Sequence, residues 1–277
     1  MNSGPISPMI HGRTEPCTHA GSMRYGEPLG PLAIAHRGGA ALAPENTLAA
    51  FNGSSGLGFR YLETDVRVTR DGQLVCFHDA TLDRVTGQRG RVRDHRLVDL
   101  RAALVGGTEP IPTLGDALDA FPQYSFTVDL KDEAAIEPLG RLLGHRADAQ
   151  RVCVAGAWDG WLARLRSIAP DIQTALGWRS LIRLISCSRV GAKPSPRIAT
   201  APFAHVPIRL GSVPIFVERL VRHAHAIDVR VIVWTVDEPT SMHRLFDMGV
   251  DGIITDRPDQ LRDVLVARDS WSPTPVG

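Results

Sequence analysis

The chain has no marked excess of charge of either sign. Its 277 residues include 31 basic and 30 acidic side chains, a formal net charge of +1 at pH 7. Proteins that bind nucleic acid or an acidic membrane surface through electrostatics usually carry a clear basic excess. We therefore expect no nucleic-acid partner. The sequence also lacks a run of about 18 apolar residues, the length that a membrane-spanning helix needs, so we expect no transmembrane segment.

Cysteine is scarce and scattered along the chain. The four cysteines, Cys17, Cys76, Cys153 and Cys187, form no CxxC pair and show no metal-ligand spacing. This pattern indicates neither a disulfide framework nor a zinc site, and it fits a reducing compartment. The first 30 residues lack the apolar stretch of a signal peptide. We therefore expect a cytoplasmic protein.

The composition indicates one domain with a tail at each end. Residues 31–265 show no break in composition, and their length suits one large core. Residues 1–30 are rich in Gly, Pro and Ser, and 266–277 are similar. We predict a disordered tail over each of these two segments.

Short apolar runs typical of buried strands alternate with helix-period segments, which predicts an α/β fold. Eight such units make a (β/α)8 TIM barrel, with a parallel sheet covered by helices. The candidate strands are 32–36, 61–68, 74–78, 125–131, 151–156, 173–177, 202–208, 229–236 and 252–256.

One of these nine candidate strands is surplus to a barrel. We expect 202–208 to drop out, because it carries two prolines. The connection between the second and third runs, "TRDGQ" at 69–73, is also too short for a parallel crossover, which needs about a dozen residues. Either this segment returns outside the barrel or the pair forms a hairpin, so the barrel is expected to be irregular there.

Charged residues follow several of the apolar runs. The first run ends in "LAIAHRGG", with His36 and Arg37 before a flexible joint. In "YLETDVRV" the alternation of a strand places Glu63 and Asp65 on one face. Two carboxylates side by side repel unless a cation or a proton lies between them.

The next two runs add a further histidine, a carboxylate and a lysine. "LVCFHD" ends an apolar run on His78, and "FTVDLK" places Asp129 and Lys131 on one face. A barrel presents reactive groups at the carboxyl ends of its strands, so these residues are expected to meet His36 and Glu63 at one rim.

The formal charges of this group indicate a metal ion and a phosphodiester. With neutral histidines, the three carboxylates with Arg37 and Lys131 sum to −1. A divalent cation changes this to +1, and a singly charged phosphodiester brings it to zero. Three oxygen ligands without a thiolate favour Mg²⁺ or Ca²⁺ over Zn²⁺. A zinc site with histidine ligands has no HxH or HExxH spacing to support it.

At these residues the sequence resembles the glycerophosphodiester phosphodiesterase family, a branch of the phosphatidylinositol-phospholipase-C-like TIM barrels. The matching stretches are in order and cover most of 31–265. They are "AHRGGAALAPENTLAAF", "YLETDVRVTRDGQLVCFHDATLDRVTG", "PIPTLGDAL", "VDLK", "VWTVDEP" and "GVDGIITDRPD".

The resemblance implies metal-dependent hydrolysis of a small glycerophosphodiester to sn-glycerol 3-phosphate and an alcohol. By this resemblance His36 and His78 form the general acid/base pair. Arg37 and Lys131 hold the phosphate, and Trp234 lines the pocket wall.

The resemblance also implies the ligands of a divalent cation, Mg²⁺ or Ca²⁺. Glu63 and Asp65 match metal ligands, and Asp129 stands at the third ligand position, where many family members carry glutamate. Its shorter side chain implies an ion that lies closer to this strand or is reached through water. The segment 79–113 matches the small insertion of the family after the third strand.

Several residues near these motifs are open to two interpretations. Glu45 and Asn46 either contact substrate or serve the structure, and we favour Asn46 or Thr47 as a helix cap and Glu45 as a partner of Arg37. Asp256 in "TDRP" is interpreted as part of a turn. His205, with the other histidines outside the motifs, is interpreted as an ordinary surface or core residue.

Two other functions stay open. The segment 177–213 begins with "GWRSLIRLI", which is either a helix on a long connection or a lid that contacts lipid transiently. A lipid-contacting lid would favour a lysophospholipase-D or sphingomyelinase-D-like activity on intact lipids. The second alternative is an inactive barrel that only binds phosphodiesters. The sequence predicts no oligomeric state.

Overall fold

The computed structural model describes residues 23–28, 30–210, 213–214 and 217–273, without the side chains of 209, 210, 213 and 214. The strands in these residues are β1 (Leu32–Ala35), β2 (Tyr61–Val68), β3 (Leu74–Cys76), β4 (Leu104–Val105), β5 (Glu109–Pro110), β6 (Ser125–Leu130), β7 (Val152–Ala155), β8 (Gln173–Thr174), β9 (Phe203–Pro207), β10 (Arg209–Leu210), β11 (Val213–Pro214), β12 (Arg230–Trp234) and β13 (Gly252–Thr255).

Helices alternate with most of these strands. They are α1 (Leu48–Gly56), α2 (Asp83–Thr86), α3 (Leu97–Leu100), α4 (Leu114–Ala120), α5 (Ile136–Gly144), α6 (Asp159–Ile168), α7 (Trp178–Val190), α8 (Val217–His225), α9 (Pro239–Asp247) and α10 (Pro258–Ala267). No helix in the described part of the chain is both long and apolar enough to span a bilayer.

Eight of the described strands form a parallel barrel. Their order around the sheet is β8, β7, β6, β2, β1, β13, β12 and β9. A single parallel bridge between Ala175 and Phe203 joins the two ends, so the barrel is nearly closed. This architecture confirms the predicted (β/α)8 TIM barrel. It forms because each strand is buried on both faces, by neighbouring helices outside and by side chains inside.

The surplus strand is 74–78, and the expectation that 202–208 would drop out is wrong. β3 pairs antiparallel with β2, Val66 opposite Cys76, and forms a hairpin outside the barrel path. The five-residue turn leaves no room for a parallel crossover. β9 belongs to the barrel because its prolines lie at the edges. Pro202 precedes the strand and Pro207 is its last residue, so the interior N–H groups remain available for pairing.

The segment 79–113 has a small apolar core of its own beside this hairpin. It contains α2, α3 and the short β4–β5 ribbon. Val75 and Phe77 of the hairpin pack into this core together with Leu82 and Val92 of the segment. The insertion is therefore fixed to the strand that leads to His78.

The chain ends pack on the barrel further than predicted. Tyr25, placed in the predicted tail 1–30, is only 2% exposed and packs edge-on against Phe203 inside the barrel. α10 extends to Ala267, and Trp271 packs against Phe59 with ring centroids 5.3 Å apart. The tail prediction is wrong for 23–28 and 266–273, because these aromatic rings bury apolar area that a disordered tail would leave exposed. Residues 1–22 and 274–277 lie outside the described residues.

Candidate active site

A cavity of about 250 Å³ opens at the carboxyl ends of the barrel strands. Seven of the eight predicted site residues line it, namely His36, Arg37, Glu63, His78, Asp129, Lys131 and Trp234. The eighth, Asp65, is 1% exposed and lies behind them, with its carboxylate 2.9 Å from Lys131 Nζ. The structure therefore brings all eight residues together.

The three carboxylates predicted as metal ligands form one cluster. Asp65 on β2 lies opposite Asp129 on β6, and Glu63 is two residues earlier on the same face of β2. One oxygen from each of the three lies within 4.8 Å of the others. The parallel register of two adjacent strands therefore creates the cluster.

The electrostatics of this cluster show unbalanced negative charge. Burial, reinforced by the neighbouring Asp65 carboxylate, raises the pKa of Glu63 to about 8. Burial also opposes ionisation of Asp65, but Lys131 and Arg37 outweigh it and hold the pKa of Asp65 below its usual value. Lys131 and Arg37 alone therefore do not neutralise three carboxylates this close together.

Two further observations show that these residues fit a divalent cation. Asp129 Oδ1 is buried and makes no hydrogen bond within the described residues. Gly156 has a φ of +73°, and a Cβ there would overlap this oxygen. The missing side chain leaves space for the Asp129 carboxylate beside Glu63 and Asp65. The donor set is entirely oxygen, as Mg²⁺ and Ca²⁺ prefer.

Two cationic side chains contact this carboxylate cluster. Lys131 Nζ lies 2.9 Å from Asp65 Oδ1 and 2.5 Å from Asp129 Oδ2. Burial lowers the pKa of Lys131, but Asp129 and Asp65 outweigh it and raise the pKa above its usual value. The Arg37 guanidinium lies with Nε 3.3 Å from Asp65 Oδ2, and the backbone N–H of Arg37 donates to Glu63 Oε2 at 2.7 Å. The positive charges thus lie on the side of the cavity where the carboxylates are.

His36 is oriented by an aspartate that directly follows the last strand of the barrel. Its Nδ1 lies 2.7 Å from Asp256 Oδ1, and its Nε2 lies 4.0 Å from Glu63 Oε2. Burial lowers the pKa of His36, but the Asp256 hydrogen bond and the charge of Glu63 outweigh it and raise the pKa. Asp256 follows β13, and the interpretation as a turn residue missed its contact with His36.

His78 has a similar carboxylate partner, supplied by the next residue. Its Nδ1 lies 2.6 Å from Asp79 Oδ1, and Arg84 Nε of α2 donates to Asp79 Oδ2 at 2.6 Å. The Arg84 hydrogen bond, with a smaller contribution from His78 and against the effect of burial, lowers the pKa of Asp79 to about 2. Both histidines therefore have Nδ1 held by a carboxylate, which leaves Nε2 as the free ring nitrogen.

The "PENT" loop supports the site from the side. Glu45 Oε1 accepts from Arg37 Nη1 at 2.9 Å, and Thr47 caps α1 through a hydrogen bond from Ala50 N. These contacts confirm the predicted partner of Arg37 and the predicted cap. Asn46 does not cap the helix. Its Nδ2 donates to Asp65 Oδ2 at 2.9 Å. It orients one of the candidate metal ligands.

The cavity wall opposite the carboxylates comes from β9, β12 and α7. Trp234 lies at the end of β12, and Trp178 and Leu181 of α7 also line the cavity. The segment that begins at 177 therefore forms a helix, in agreement with one of the two interpretations. His205 of β9 lines the cavity as well, and the sequence offered no motif that would have singled it out.

Comparison with known proteins agrees with this geometry. The model of the "Glycerophosphoryl diester phosphodiesterase family" matches residues 36–260. The chain belongs to this family. The match spans the positions of all eight predicted site residues and of the insertion, and it confirms the resemblance of the chain to the family.

Individual relatives extend over almost the same length. The chain is 39% identical over 254 residues to "Probable glycerophosphodiester phosphodiesterase 2" of Mycobacterium tuberculosis, covering 90% of this chain and 95% of the relative. It is 31% identical over 244 residues to "Glycerophosphodiester phosphodiesterase" of Caldanaerobacter subterraneus, covering 83% and 96%. A crystal structure of a glycerophosphodiester phosphodiesterase from Agrobacterium tumefaciens superposes with a TM-score of 0.68 at 24% identity, covering 83% of this chain and 99% of that chain. This last likeness shows the shared fold.

Proposed function

We propose that this chain hydrolyses glycerophosphodiesters to sn-glycerol 3-phosphate and an alcohol. The names of its relatives in the family support this reaction. The observation that carries it is one small cavity lined by three clustered carboxylates and by two histidines that each have a carboxylate on Nδ1. A small glycerol arm suits the cavity, because its volume of about 250 Å³ is below the roughly 300–1,000 Å³ usual for sites of drug-sized ligands.

We assign metal binding to Glu63, Asp65 and Asp129, with Mg²⁺ or Ca²⁺ as the ion. A bound divalent cation would supply Lewis acidity at a phosphoryl oxygen. Lys131 and Arg37 add positive charge at the same side of the cavity and are assigned to the phosphate. Trp234 forms the apolar wall across from them.

The two histidines are proposed as the proton-transfer pair. A carboxylate on Nδ1 fixes the ring and leaves Nε2 to accept or deliver a proton. One histidine takes the proton from the attacking oxygen, which belongs to water or to the neighbouring glycerol hydroxyl. The other delivers a proton to the alcohol oxygen as its bond to phosphorus breaks. The net change is one water consumed and one alcohol released.

The assay is the release of glycerol 3-phosphate from glycerophosphocholine, -ethanolamine, -inositol and -glycerol. We expect turnover that a chelator abolishes and that added Mg²⁺ or Ca²⁺ restores. His36→Ala and His78→Ala are each expected to lose roughly 10²–10⁴-fold in kcat. His243→Ala on α9, outside the cavity lining, is the control and should keep full activity.

The same assay decides between the alternatives. Hydrolysis of lysophosphatidylcholine without hydrolysis of glycerophosphocholine would favour an activity on intact lipids. Binding of glycerophosphodiesters without turnover by any added ion would identify an inactive barrel. Either result would overturn the proposed reaction.

The cytoplasmic location stays a prediction. Among the described residues, Cys76, Cys153 and Cys187 are free thiols, which suits a reducing compartment. Cys17 lies outside the described residues.

A further inference from the structure

His205 is a buried histidine of the cavity that the proposed reaction does not use. It lies on β9, is 8% exposed and contributes to the cavity lining. Its Nε2 is buried and has no hydrogen-bond partner in the part of the chain that the structure describes. A polar ring nitrogen buried without a partner is unfavourable unless a bound molecule satisfies it.

The position of His205 in the barrel relates it to the reacting phosphate. In the strand order, β9 is four strands away from β2 in either direction around the barrel. The imidazole therefore lies across the cavity from Glu63 and Asp65. The phosphate of a diester would be held by Lys131 and by a cation at the carboxylate cluster, on the β2 side of the cavity. Only the substrate arm that crosses the cavity then reaches β9.

The chemistry of His205 differs from that of His36 and His78. Those two each have a carboxylate on Nδ1, whereas no charged group among the described residues contributes to the electrostatics of His205, where burial alone acts. Burial lowers the pKa of His205 to about 4, so the ring is neutral at physiological pH. A neutral imidazole without an acid partner is suited to hydrogen-bond an uncharged hydroxyl, and unsuited to hold a phosphate.

We propose that His205 is a specificity-determining residue that hydrogen-bonds a hydroxyl of the glycerol arm of the substrate. This inference rests on the proposed hydrolysis of glycerophosphodiesters. The neighbouring wall is apolar, with Leu176, Ile254 and the Trp234 indole facing the cavity. The glycerol carbons pack against that apolar wall, and the His205 imidazole hydrogen-bonds a hydroxyl. A charged or bulky head group would instead point to the open mouth.

The experiment compares two ligands that differ only in the hydroxyls of the arm. Glycerol 3-phosphate and propyl phosphate are measured as competitive inhibitors, and as ligands by calorimetry, with the metal-loaded wild type and with His205→Phe. We expect wild type to bind glycerol 3-phosphate about tenfold more tightly than propyl phosphate, and His205→Phe to remove most of this ratio by weakening only the glycerol ligand. His205→Gln, which keeps a donor and an acceptor, should retain part of the ratio.

Controls separate this inference from the proposed function. His243→Phe, outside the cavity lining, should leave the ratio unchanged. If the Phe variant does not show a cooperative thermal transition, His205→Leu is measured in the same way. An unchanged ratio in a folded His205 variant, together with normal release of glycerol 3-phosphate by wild type, overturns the role of His205 alone. Absence of glycerol 3-phosphate release by wild type overturns the proposed function and this inference with it.

Discussion

At the scale of single residues, Gly156 makes room for the third carboxylate of the cluster. A Cβ at this position would overlap Asp129 Oδ1. We predict that Gly156→Ala displaces the Asp129 carboxylate and lowers kcat/KM on glycerophosphocholine by roughly 10–100-fold, with weaker binding of Mg²⁺ or Ca²⁺ by calorimetry.

Gly191 provides the matched control for this variant. Its φ of +72° is nearly that of Gly156, and a Cβ there would meet no atom within 4 Å. Gly191→Ala should therefore show the backbone penalty, on the order of 1 kcal/mol in the free energy of unfolding, with full activity. Equal activity of the two variants would contradict a role of Asp129 in the cluster.

We expect Asp256 to affect the reaction only through its hydrogen bond with His36. We predict that Asp256→Asn lowers kcat roughly 10²-fold with little change in KM, since the imidazole loses a charged partner while the substrate contacts remain. The Asp256 carboxylate raises the pKa of His36, so its neutralisation should move to lower pH whichever limb of the pH–rate profile reports His36. Asp259→Asn, which affects only the surface pair with Arg257, is the control. A profile that does not move would rule out this contact as functional.

The sequence predicted the cavity residues that occur in motifs and missed those that join the cavity through contacts with distant positions. Glu63, Asp65 and Asp129 follow from the alternation of strands and the parallel register. The pair of His36 and Asp256 joins positions 220 residues apart, and no local pattern encodes that distance. His205 carries no motif, and only its place in the closed barrel relates it to the cavity.

At the scale of elements, the segment before β1 closes the base of the barrel. The Tyr25 hydroxyl lies 2.6 Å from Thr127 Oγ1 of β6, and its ring packs edge-on against Tyr61 and Phe203. Thr127 also lines the cavity from the other side. The segment therefore supports the floor of the site.

We predict that Tyr25→Ala lowers the free energy of unfolding by about 3–5 kcal/mol, because it leaves a cavity inside the barrel. Tyr25→Phe should lower it by about 1–3 kcal/mol, because Thr127 loses its buried partner. Urea unfolding at pH 7 measures both. Tyr124→Phe, on a ring that packs against Phe121, should stay within about 0.5 kcal/mol of wild type. A wild-type value for Tyr25→Ala would contradict the packing of this segment.

The place of a strand in the sheet was predictable where the length of the connection before it allowed few arrangements. The turn at 69–73 correctly limited the choice to a hairpin or an outside return for β3. Counting prolines misassigned 202–208, because a proline at the edge of a strand removes no interior hydrogen bond. The tail prediction failed at Tyr25 and Trp271. Composition does not show that these aromatic rings pack against Phe203 and Phe59 of the barrel.

At the scale of the whole molecule, the closed barrel brings residues of different strands into one cavity. The histidines, the carboxylates, Lys131 and Trp234 come from distant parts of the chain. They meet because parallel strands place their carboxyl ends at one rim. The fold class was predictable from the alternation of strands and helices. Which charged side chain contacts which partner could be seen only in the closed barrel, where distant strands become neighbours.

The most direct test of the central claim is the anomalous diffraction map of a crystal of the protein grown with Mn²⁺ in place of Mg²⁺. We predict one strong peak in the cavity, at roughly 2.0–2.6 Å from carboxylate oxygens of Glu63, Asp65 and Asp129. Asp129→Asn should weaken this peak, while Asp259→Asn should not. Absence of a peak at saturating Mn²⁺, or a peak held by other residues, would contradict a shared metal site at the three carboxylates.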